Sequence, residues 1–397
     1  MTGGFALRKV EASSATNFTA LVEEHASDQF ARLVMEVEPA EPHRIASMSL
    51  RAIPTPPDFR IQPLTEAALL KALRERLDQS SFSGAVLVAH HGKPIFAQAY
   101  GVADRATSTP NRLDTRFRIG SMNKMFTATA ILQLVQAGRI GLNDPLGKYI
   151  PDYPNKDVAA KVTIHHLLTH TGGTGDFFGP QFDAHRLELR TLNDYVKLYG
   201  NRGLEFEPGS RWAYSNYGFL LLGVVIEKVT GQSYYDYVAA HVYQPAGMTR
   251  TGSLPEDQHV PDLSVGYTQM GGGSAAHPNT DTLPYRGTSA GGGYSTVEDL
   301  LRFANALTAD KLLDAHNTEL LTTGKVDTPG GGKYGYGFES RMINGQVCFG
   351  HGGGAPGMNG DLQICPQSGY TIAVLSNLDP PAATRVADFI LNRLPPD

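Results

Sequence analysis

The sequence predicts an α/β sheet domain combined with an all-α part. Three observations support this fold class. Segments with the pattern of β-strands lie near both ends of the regular region, helical patterns fill the middle, and two of the helices are apolar on nearly every side. One sheet built from both ends, with helices packed against it, would bury all of these segments. The predicted domain covers residues 60–397, and its helical part covers roughly residues 140–290.

Residues 1–59 differ in pattern from the rest of the chain. The stretch FTALVEEHASDQFARLVMEVEP predicts a helix and a strand, and IASMSLRAIP alternates like a strand. The following IPTPPDF carries three prolines, which is typical of a linker. Because these segments are too few to bury a core alone, we interpret residues 1–59 as an N-terminal appendage. A remnant of a small α+β domain fits this pattern.

The elements of the main domain follow from periodicity, turn residues and caps. Thr163 is the expected N-cap of a short helix that ends before Gly172, and Ser295 with Glu298 predicts a capping box. In chain order the predicted elements are a helix (TEAALLKALRERL), two strands around a His-Gly turn (GAVLVAHHGKPIFAQAYG), a strand (TRFRIG), a buried helix (SMNKMFTATAILQLVQAG), a short helix (KVTIHHLLTHTGG), a second buried helix (NYGFLLLGVVIEKVTG), a capped helix (STVEDLLRFANAL), four strands (KYGYGFES, INGQVCFGH, GDLQICP, YTIAVLSN) and a closing helix (AATRVADFILNRL).

Composition narrows the function classes. The formal net charge of −5 argues against a general nucleic-acid-binding protein, which would carry a basic stripe. The sequence has no run of about 18 apolar residues, so no transmembrane helix is predicted. The N-terminal MTGGFALRKVEASS lacks the apolar core of a signal peptide. Because an export signal could have been removed, both the bacterial periplasm and the cytoplasm stay open as compartments.

Cysteines and clustered histidines do not predict a metal or a cofactor. Cys348 and Cys365 are the only cysteines and are too few to form a metal cluster. They flank a glycine-rich turn and could face each other, but the favoured interpretation is two buried free thiols. His165, His166 and His170 have helical spacing, yet no carboxylate cluster accompanies them. We therefore expect helix packing or solvent contact for these histidines.

Ser289 is the first candidate nucleophile. It lies in GTSAG at 287–291, which matches the G-x-S-x-G elbow of α/β-hydrolases, and HGGG at 351–354 matches their oxyanion loop. However, polar NTDTLPYRG precedes the serine where a buried strand is required, and three glycines follow where a helix should start. HGGG also comes after the serine instead of before it, and no histidine follows HGGG. We therefore interpret residues 287–291 as a close-packed turn.

The second candidate is Ser121 in SMNK, three residues before Lys124. An i, i+3 spacing places both side chains on one face of a helix. At the helix N-terminus, free backbone N–H groups favour a developing oxyanion beside the serine. The lysine lies on an otherwise apolar helix, and desolvation would lower its pKa toward that of a base near neutrality. The alternative is that Ser121 is only an N-cap and Lys124 extends to water.

Hydrolases that use S-x-x-K need two further elements in chain order. The Tyr-x-Asn candidates are YPN at 153–155, a proline-flanked loop, and YSN at 214–216, which leads into a buried helix. The rigid mounting of YSN favours Tyr214 and Asn216. The candidates for the third element are HTG at 170–172, which precedes YSN, and HGG at 351–353 among the C-terminal strands. Chain order favours HGG.

With these residues, the chain from about Leu64 to its end resembles the penicillin-recognising serine hydrolases. That group includes class C β-lactamases, D-Ala-D-Ala carboxypeptidases and family VIII carboxylesterases. The resemblance implies a β-lactamase/transpeptidase-like fold, an antiparallel sheet flanked by helices, with the active site in the cleft beside a helical domain. The stretches that carry it are RIGSMNKMFTATAILQL, LNDPLGKYIPDY, TIHHLLTHTGG, FEPGSRWAYSNYGFLLLGVVIEKVTGQSYYDYV, QPAGMTRT, GGGYSTVEDLLRF and FGHGGGAPG.

The resemblance also implies a role for each site residue. Ser121 would be the nucleophile, and Lys124 and Tyr214 would share the general-base and general-acid work. Asn216 would orient substrate and lysine. The remaining implied residues line the substrate or hold the oxyanion: His351 and Gly353 for substrate binding, and the backbone N–H groups of Ser121 and Gly354 for the oxyanion hole. Trp212, the only tryptophan, is either a substrate wall or a packing residue.

The third element predicts the substrate class. Relatives place a lysine at the position of His351, where its charge binds a substrate carboxylate. Histidine is shorter and mostly neutral at pH 7, and Gly352 replaces a hydroxyl residue. We therefore expect a carboxylesterase for small neutral esters. The alternatives are a D-amino-acid or short-peptide peptidase (a penicillin-binding protein), a weak β-lactamase, and a sensor domain that acylates slowly. The expected partners are small-molecule esters, amides or β-lactams.

Overall fold

The structure is a computed structural model that describes residues 4–25, 27–53, 55–59, 61–271 and 275–395. Parts of the predicted appendage and linker (1–3, 26 and 54) and of the predicted domain (60, 272–274, 396 and 397) lie outside the described residues. The chain divides into two compact units. The first runs to Arg74 and includes the segment that begins at Asp388, and the second is Glu75–Ala387.

Four antiparallel strands form the sheet of the first unit as far as it is described, in the order β1 (Phe5–Ser13), β2 (Asn17–Glu24), β3 (Phe30–Val37) and β4 (Ile45–Ile53). The helix predicted within FTALVEEHASDQFARLVMEVEP is therefore wrong, because this segment forms the two central strands. Phe18 pairs with Met35, and Ala20 pairs with Leu33. Apolar side chains two residues apart share a sheet face, and this period of two decides the structure. The described residues before 54 are thus all-β, which corrects the α+β interpretation.

The second unit contains an antiparallel sheet whose eight described strands have the order β13-β14-β15-β16-β17-β18-β5-β6. The sheet combines strands from both ends of the main domain, as predicted. The His-Gly turn also forms where predicted, and His91 and Gly92 have positive φ values of 47° and 75°. The strands of the sheet are β5 (Gly84–His90), β6 (Lys93–Tyr100), β13 (Val326–Asp327), β14 (Lys333–Tyr334), β15 (Glu339–Ile343), β16 (Gln346–Ala355), β17 (Met358–Cys365) and β18 (Tyr370–Ser376).

Short strands lie outside this sheet, and one pair of them positions the site. Strand β9 (Phe117–Arg118) pairs with strand β12 (Tyr294–Ser295), so that Arg118 lies opposite Tyr294 and Phe117 opposite Ser295. This pairing fixes the segment just before Ser121 against the segment that follows GTSAG. The short strands are β7 (Val102–Asp104), β8 (Thr109–Pro110), β9 (Phe117–Arg118), β10 (Tyr267–Thr268), β11 (His277–Pro278) and β12 (Tyr294–Ser295).

Helices fill the middle of the chain, and two of them, α2 (Asn123–Gln136) and α8 (Asn216–Thr230), form the buried centre of the second unit. Both are buried over most of their length, as their all-round apolar composition predicts. The helices are α1 (Glu66–Asp78), α2 (Asn123–Gln136), α3 (Leu146–Tyr149), α4 (Lys156–Lys161), α5 (Ile164–Leu168), α6 (Pro180–His185), α7 (Leu192–Tyr199), α8 (Asn216–Thr230), α9 (Tyr234–Val238), α10 (Gln244–Ala246), α11 (Val297–Thr308), α12 (Ala315–Thr322) and α13 (Ala382–Leu391), with 3₁₀ turns at Pro57–Phe59 and Gly120–Met122 and a π-helical turn at Ala239–Tyr243.

Helix caps test the local predictions. Thr163 caps α5 and forms a capping box with His166, which confirms the predicted N-cap. The capping box predicted from Ser295 is wrong by one residue. Ser295 is part of β12, and the side chain of Thr296 accepts a hydrogen bond from the backbone N–H of Asp299. Strand pairing holds Ser295 in the extended conformation, so the next residue becomes the cap.

The two cysteines form a disulfide, which overturns the prediction of free thiols. Cys348 lies on β16 and Cys365 on β17, and their Cα atoms are 4.3 Å apart. The register of the two strands pairs Phe349 with Ile364, so the cysteines are the next residues facing each other. Such neighbouring positions are within the range that a disulfide can bridge. The sequence alone does not provide this register.

Candidate active site

Ser121 lies in the 3₁₀ turn Gly120–Met122 that leads directly into α2. Ser121 is half-buried, in contrast to the fully buried residues on either side of it. Gly120 has a positive φ of 53°, and a Cβ on it would lie only 3.0 Å from the backbone nitrogen of Gly354. This close approach brings the Gly354 N–H group of β16 beside the Ser121 backbone. The arrangement fits the predicted pair of oxyanion donors.

Lys124 lies one helical turn after Ser121 and is completely buried. Its Nζ lies 3.2 Å from Ser121 Oγ and 2.7 Å from Asn216 Oδ1, and it also donates to the backbone carbonyl of Ala290. The alternative in which Lys124 extends to water is therefore wrong. Burial lowers the pKa of Lys124 to about 7, although the carboxylates of Asp176 and Glu339 oppose the shift. A large fraction of Lys124 is thus a neutral amine at neutral pH.

Tyr214 completes the group around the serine. Its ring centroid lies 4.7 Å from Lys124 Nζ, and its hydroxyl has a hydrogen bond with Ser121. Burial raises the pKa of Tyr214 far above its usual range, and the Ser121 hydrogen bond opposes this only in part. The phenol therefore stays protonated where Lys124 is already neutral. Of the two groups, the structure favours Lys124 as proton acceptor and Tyr214 as donor.

Asn216 is the first residue of α8, and Ser215 caps this helix by accepting from the backbone N–H of Gly218. The Asn216 side chain has a partner at each end. Its Oδ1 accepts from Lys124, and its Nδ2 donates to Asp176 Oδ2 at 2.8 Å. This chain of hydrogen bonds fixes the amide orientation and connects Lys124 to a half-buried carboxylate. It agrees with the predicted role of Asn216 in orienting the lysine.

The third element lies on β16. His351 is only 2% exposed, its Nδ1 donates to the carbonyl of Gly352, and its Nε2 accepts from the Tyr334 hydroxyl at 3.0 Å. Both ring nitrogens therefore have protein partners, so this geometry does not provide the direct substrate contact predicted for His351. Burial lowers the pKa of His351, and nearby Lys124 lowers it further against the opposing charge of Glu339. The position carries no positive charge at neutral pH.

The glycines after His351 permit close contacts. A Cβ on Gly353 would lie 2.0 Å from the carbonyl oxygen of Ile119, so Gly353 packs against the turn that carries Ser121. This packing gives Gly353 a structural role, and its role in substrate binding stays a prediction. Gly352 has more room, since the nearest atom to its Cβ position is 3.7 Å away. Glycine is needed at 353 because any side chain would separate β16 from the serine turn.

The GTSAG segment lies beside the site but does not present its serine. Ser289 is completely buried, and its hydroxyl donates to the backbone carbonyl of Leu220 within α8. The segment instead contributes backbone carbonyls: that of Thr288 accepts from Asn123, and that of Ala290 accepts from Lys124. The interpretation of residues 287–291 as a close-packed turn agrees with this placement.

The other residues singled out in the sequence have structural contacts. Tyr153 of YPN is buried and bonds to the Tyr217 hydroxyl at 3.2 Å. His165 bonds through Nδ1 to the Tyr336 hydroxyl at 2.8 Å, and His166 belongs to the α5 capping box. Trp212 is partly buried, and its ring centroid lies 6.3 Å from that of Tyr214. Within the described residues, no group of three or more histidines, cysteines or acidic residues could hold a metal ion.

Sequence reasoning missed several groups that surround the site. Asp176 and Glu339 influence it by charge, Tyr334 bonds to His351, and the Ala290 carbonyl accepts from Lys124. No motif marked Asp176, Glu339 or Tyr334, which reach the site from loops or strands far away in sequence, and Ala290 was noted only as part of GTSAG. His170 was noticed only for its spacing on a helix and as part of HTG. The structure places it against Tyr214.

An antiparallel sheet, two buried helices and an S-x-x-K pair beside a Tyr-x-Asn turn define a serine hydrolase of the S-x-x-K class. Residues 68–395 match the Beta-lactamase family, and the chain belongs to this family. Penicillin-binding protein 4* of Bacillus subtilis (strain 168) is 30% identical over 333 residues, covering 78% of this chain and 71% of that protein. Esterase EstB of Burkholderia gladioli is 32% identical over 317 residues, covering 70% and 79%.

Similarity to solved structures agrees with this assignment. The crystal structure of the penicillin binding protein from Bacillus halodurans matches with a TM-score of 0.72 and 35% identity, covering 80% of this chain and 97% of that one. The predicted β-lactamase/transpeptidase-like fold is thereby confirmed. Among the described residues, no helix is both long and apolar enough to cross a membrane. The chain is a serine hydrolase of the β-lactamase and penicillin-binding-protein family.

Proposed function

We propose that the protein hydrolyses small neutral carboxylic esters through an acyl-enzyme on Ser121. The observation that carries this proposal is the completely buried Lys124, whose Nζ lies 3.2 Å from Ser121 Oγ. A neutral amine at this distance can accept the proton of the serine hydroxyl during attack. The lowered pKa of Lys124, about 7, supports this role at neutral pH.

The steps follow from the positions of these groups. Ser121 Oγ attacks the ester carbonyl carbon, Lys124 accepts the hydroxyl proton, and the backbone N–H groups of Ser121 and Gly354 stabilise the oxyanion. The bond to the alcohol oxygen then breaks, and the alcohol leaves with a proton passed from Lys124 through the Tyr214 hydroxyl. Water attacks the acyl-enzyme and gives a proton to Lys124. The acid leaves, and the proton returns to Ser121 Oγ.

Charge around the site supports neutral rather than anionic substrates. The His351 position carries no positive charge, because its imidazole is buried and both nitrogens are hydrogen-bonded within the protein. Two carboxylates, Asp176 and Glu339, act electrostatically on Lys124. A substrate carboxylate would therefore meet two negative charges and no lysine in place of His351. A neutral ester has no such repulsion.

Cleavage of D-amino-acid or short peptides is the second candidate. The similarity to penicillin-binding protein 4* favours it, since that name describes binding of penicillin, which is a cyclic amide. Amide hydrolysis would use the same serine and lysine, with the amine leaving group protonated through Tyr214. The charge around His351 is less suitable for the C-terminal carboxylate of such a peptide. For this reason we rank ester hydrolysis above peptide cleavage.

A substrate panel separates the two functions. The purified chain is assayed with p-nitrophenyl acetate and butyrate, with nitrocefin and with a D-Ala-D-Ala peptide. We expect steady turnover of the p-nitrophenyl esters, with a kcat/KM at least ~10-fold above that for nitrocefin. Ser121→Ala should lose at least ~10³-fold of kcat, whereas the matched control Ser289→Ala should stay within a few-fold. Peptide cleavage without ester turnover would reverse the ranking, and a burst without turnover would indicate a slow-acylating domain.

A further inference from the structure

His170 is bonded to both neighbours of Tyr214. The backbone N–H of Ala213 donates to the His170 carbonyl at 2.9 Å, and the backbone N–H of Ser215 donates to His170 Nδ1 at 3.1 Å. The residue just before Tyr214 and the residue just after it are therefore both fixed by one histidine. The position of the Tyr214 backbone thus depends on His170.

The His170 ring also lies directly against the Tyr214 ring, with centroids 4.3 Å apart. Its other ring contacts include Tyr334 at 4.5 Å, Phe219 of α8 at 5.0 Å and Trp212 at 6.1 Å. Tyr334 in turn donates to His351. His170 therefore connects the Tyr214 turn with the third element on the sheet.

The protonation state of His170 follows from its contacts. Nδ1 accepts from the Ser215 N–H, so the single ring proton lies on Nε2 and the imidazole is neutral. Burial, with an added contribution from Lys124 and His351, holds the pKa of His170 well below its usual range. An imidazolium would lose the Ser215 hydrogen bond and place a second cation near Lys124.

Two features make His170 unfavourable as a purely structural residue. It is 1% exposed, and its Nε2 has no hydrogen-bond partner among the described residues. Its φ is +58°, in the left-handed region that most side chains avoid. A buried N–H group without a partner destabilises the folded state. Unfavourable features of this kind are concentrated at functional sites.

We propose that His170 is a positioning residue that holds the Tyr214 hydroxyl in place for proton transfer. This inference rests on the proposed function, since it requires Tyr214 to act at Ser121. No hydrogen bond joins His170 to Ser121 within the described part of the chain, whereas His170 contacts Tyr214 directly. Its effect on the reaction passes entirely through Tyr214. The effect should therefore disappear when the Tyr214 hydroxyl is removed.

A matched pair of amide variants tests the hydrogen bond. In His170→Asn the side-chain oxygen is as many bonds from Cα as Nδ1 is, and asparagine tolerates positive φ. In His170→Gln the oxygen is one bond further away and does not match the Nδ1 position. We expect His170→Gln to lower kcat on a p-nitrophenyl ester by ~10- to 100-fold, with KM within ~3-fold, because the Tyr214 hydroxyl is misplaced. His170→Asn should stay within ~5-fold of the unmodified protein.

The decisive test is a double-mutant cycle with Tyr214→Phe. If His170 had a merely structural role, its substitution would cause the same loss whether or not the Tyr214 hydroxyl is present. In the Tyr214→Phe background we expect His170→Gln to change kcat by less than ~3-fold. An equal loss in both backgrounds, or equal losses for the Asn and Gln variants, would overturn the inference. If His170→Gln does not fold, a folded His170→Asn that loses more than ~10-fold overturns it, and a loss within ~5-fold supports it. If Tyr214→Phe alone is fully active, the proposed function fails first.

Discussion

The pH dependence of ester hydrolysis tests the assignment of Lys124 as proton acceptor. An ordinary lysine has a pKa near 10.5, whereas burial lowers that of Lys124 to about 7. Only the neutral amine accepts a proton, so activity is lost as the pH falls. With a pKa of about 7, roughly half of Lys124 is neutral at pH 7 and roughly 1% at pH 5. We therefore expect kcat/KM to fall ~100-fold from pH 9 to pH 5, with its midpoint near pH 7.

The measurement is kcat/KM for p-nitrophenyl butyrate at constant ionic strength, followed at a wavelength where nitrophenol and nitrophenolate absorb equally. Tyr214→Phe serves as control: its rate is lower but its midpoint should change little, because the tyrosine stays protonated throughout this range. Lys124→Arg, which stays charged, should lose at least ~10²-fold at every pH. A profile that is flat between pH 5 and pH 9, or one still rising at pH 10, would show that Lys124 is not the proton acceptor with a pKa of about 7.

The same shift has a consequence for stability. Between about pH 7 and the ordinary lysine pKa of 10.5, the unfolded chain binds a proton that folded Lys124 does not. The contribution of Lys124 to the free energy of unfolding therefore becomes less unfavourable as the pH rises through this window. The contribution of His170 to the free energy of unfolding changes in the same direction at lower pH. As the pH falls below about 6.5, the unfolded chain protonates at His170 before the folded one does, and stability decreases.

Three further predictions concern the surroundings of the serine. Gly353→Ala should lower the free energy of unfolding by about 1–3 kcal/mol and reduce kcat, because its Cβ would lie 2.0 Å from a backbone oxygen. The control Gly352→Ala, whose Cβ would lie 3.7 Å from its nearest neighbour, should change both quantities little. Denaturant unfolding and the ester assay measure the two effects. His351→Lys should raise kcat/KM for a carboxylated cephalosporin by up to ~10- to 100-fold relative to a neutral ester; an equal loss on both substrates would instead indicate that the contact with Tyr334 matters more than charge. Glu339→Gln should raise kcat/KM for a succinate monoester by ~3-fold or more while leaving p-nitrophenyl butyrate within ~2-fold, and the difference should shrink at high salt.

Much of the site could be predicted because its chemistry depends on local spacing. Ser121 and Lys124 are one helical turn apart, so a single apolar helix with one lysine placed them together. Tyr214 and Asn216 were distinguished from YPN by the buried helix that follows them. The sheet followed from alternating apolar residues at both ends of the domain. Each of these inferences needed only residues that are close in sequence.

Features that depend on distant contacts could not be predicted in this way. The Cys348–Cys365 disulfide requires the register of β16 with β17. The strand at residues 17–24 is selected over a helix by pairing with strands on both sides. His170 Nδ1 accepts a hydrogen bond from the backbone N–H of Ser215, the residue just after Tyr214, across a separation of 45 positions in the sequence. Helical spacing at His170 therefore suggested packing, although its main contacts are with another loop.

Mapping the acylated residue distinguishes Ser121 from Ser289 and from every other residue as the nucleophile. The chain is incubated with a fluorophosphonate or a penicillin, digested, and the modified peptide is identified by mass spectrometry. Lys124→Ala should slow the labelling strongly without changing the site. We expect an adduct on Ser121, the half-buried serine whose Oγ lies 3.2 Å from Lys124 Nζ. An adduct on Ser289, or on any other residue while Ser121 stays unmodified, would contradict it.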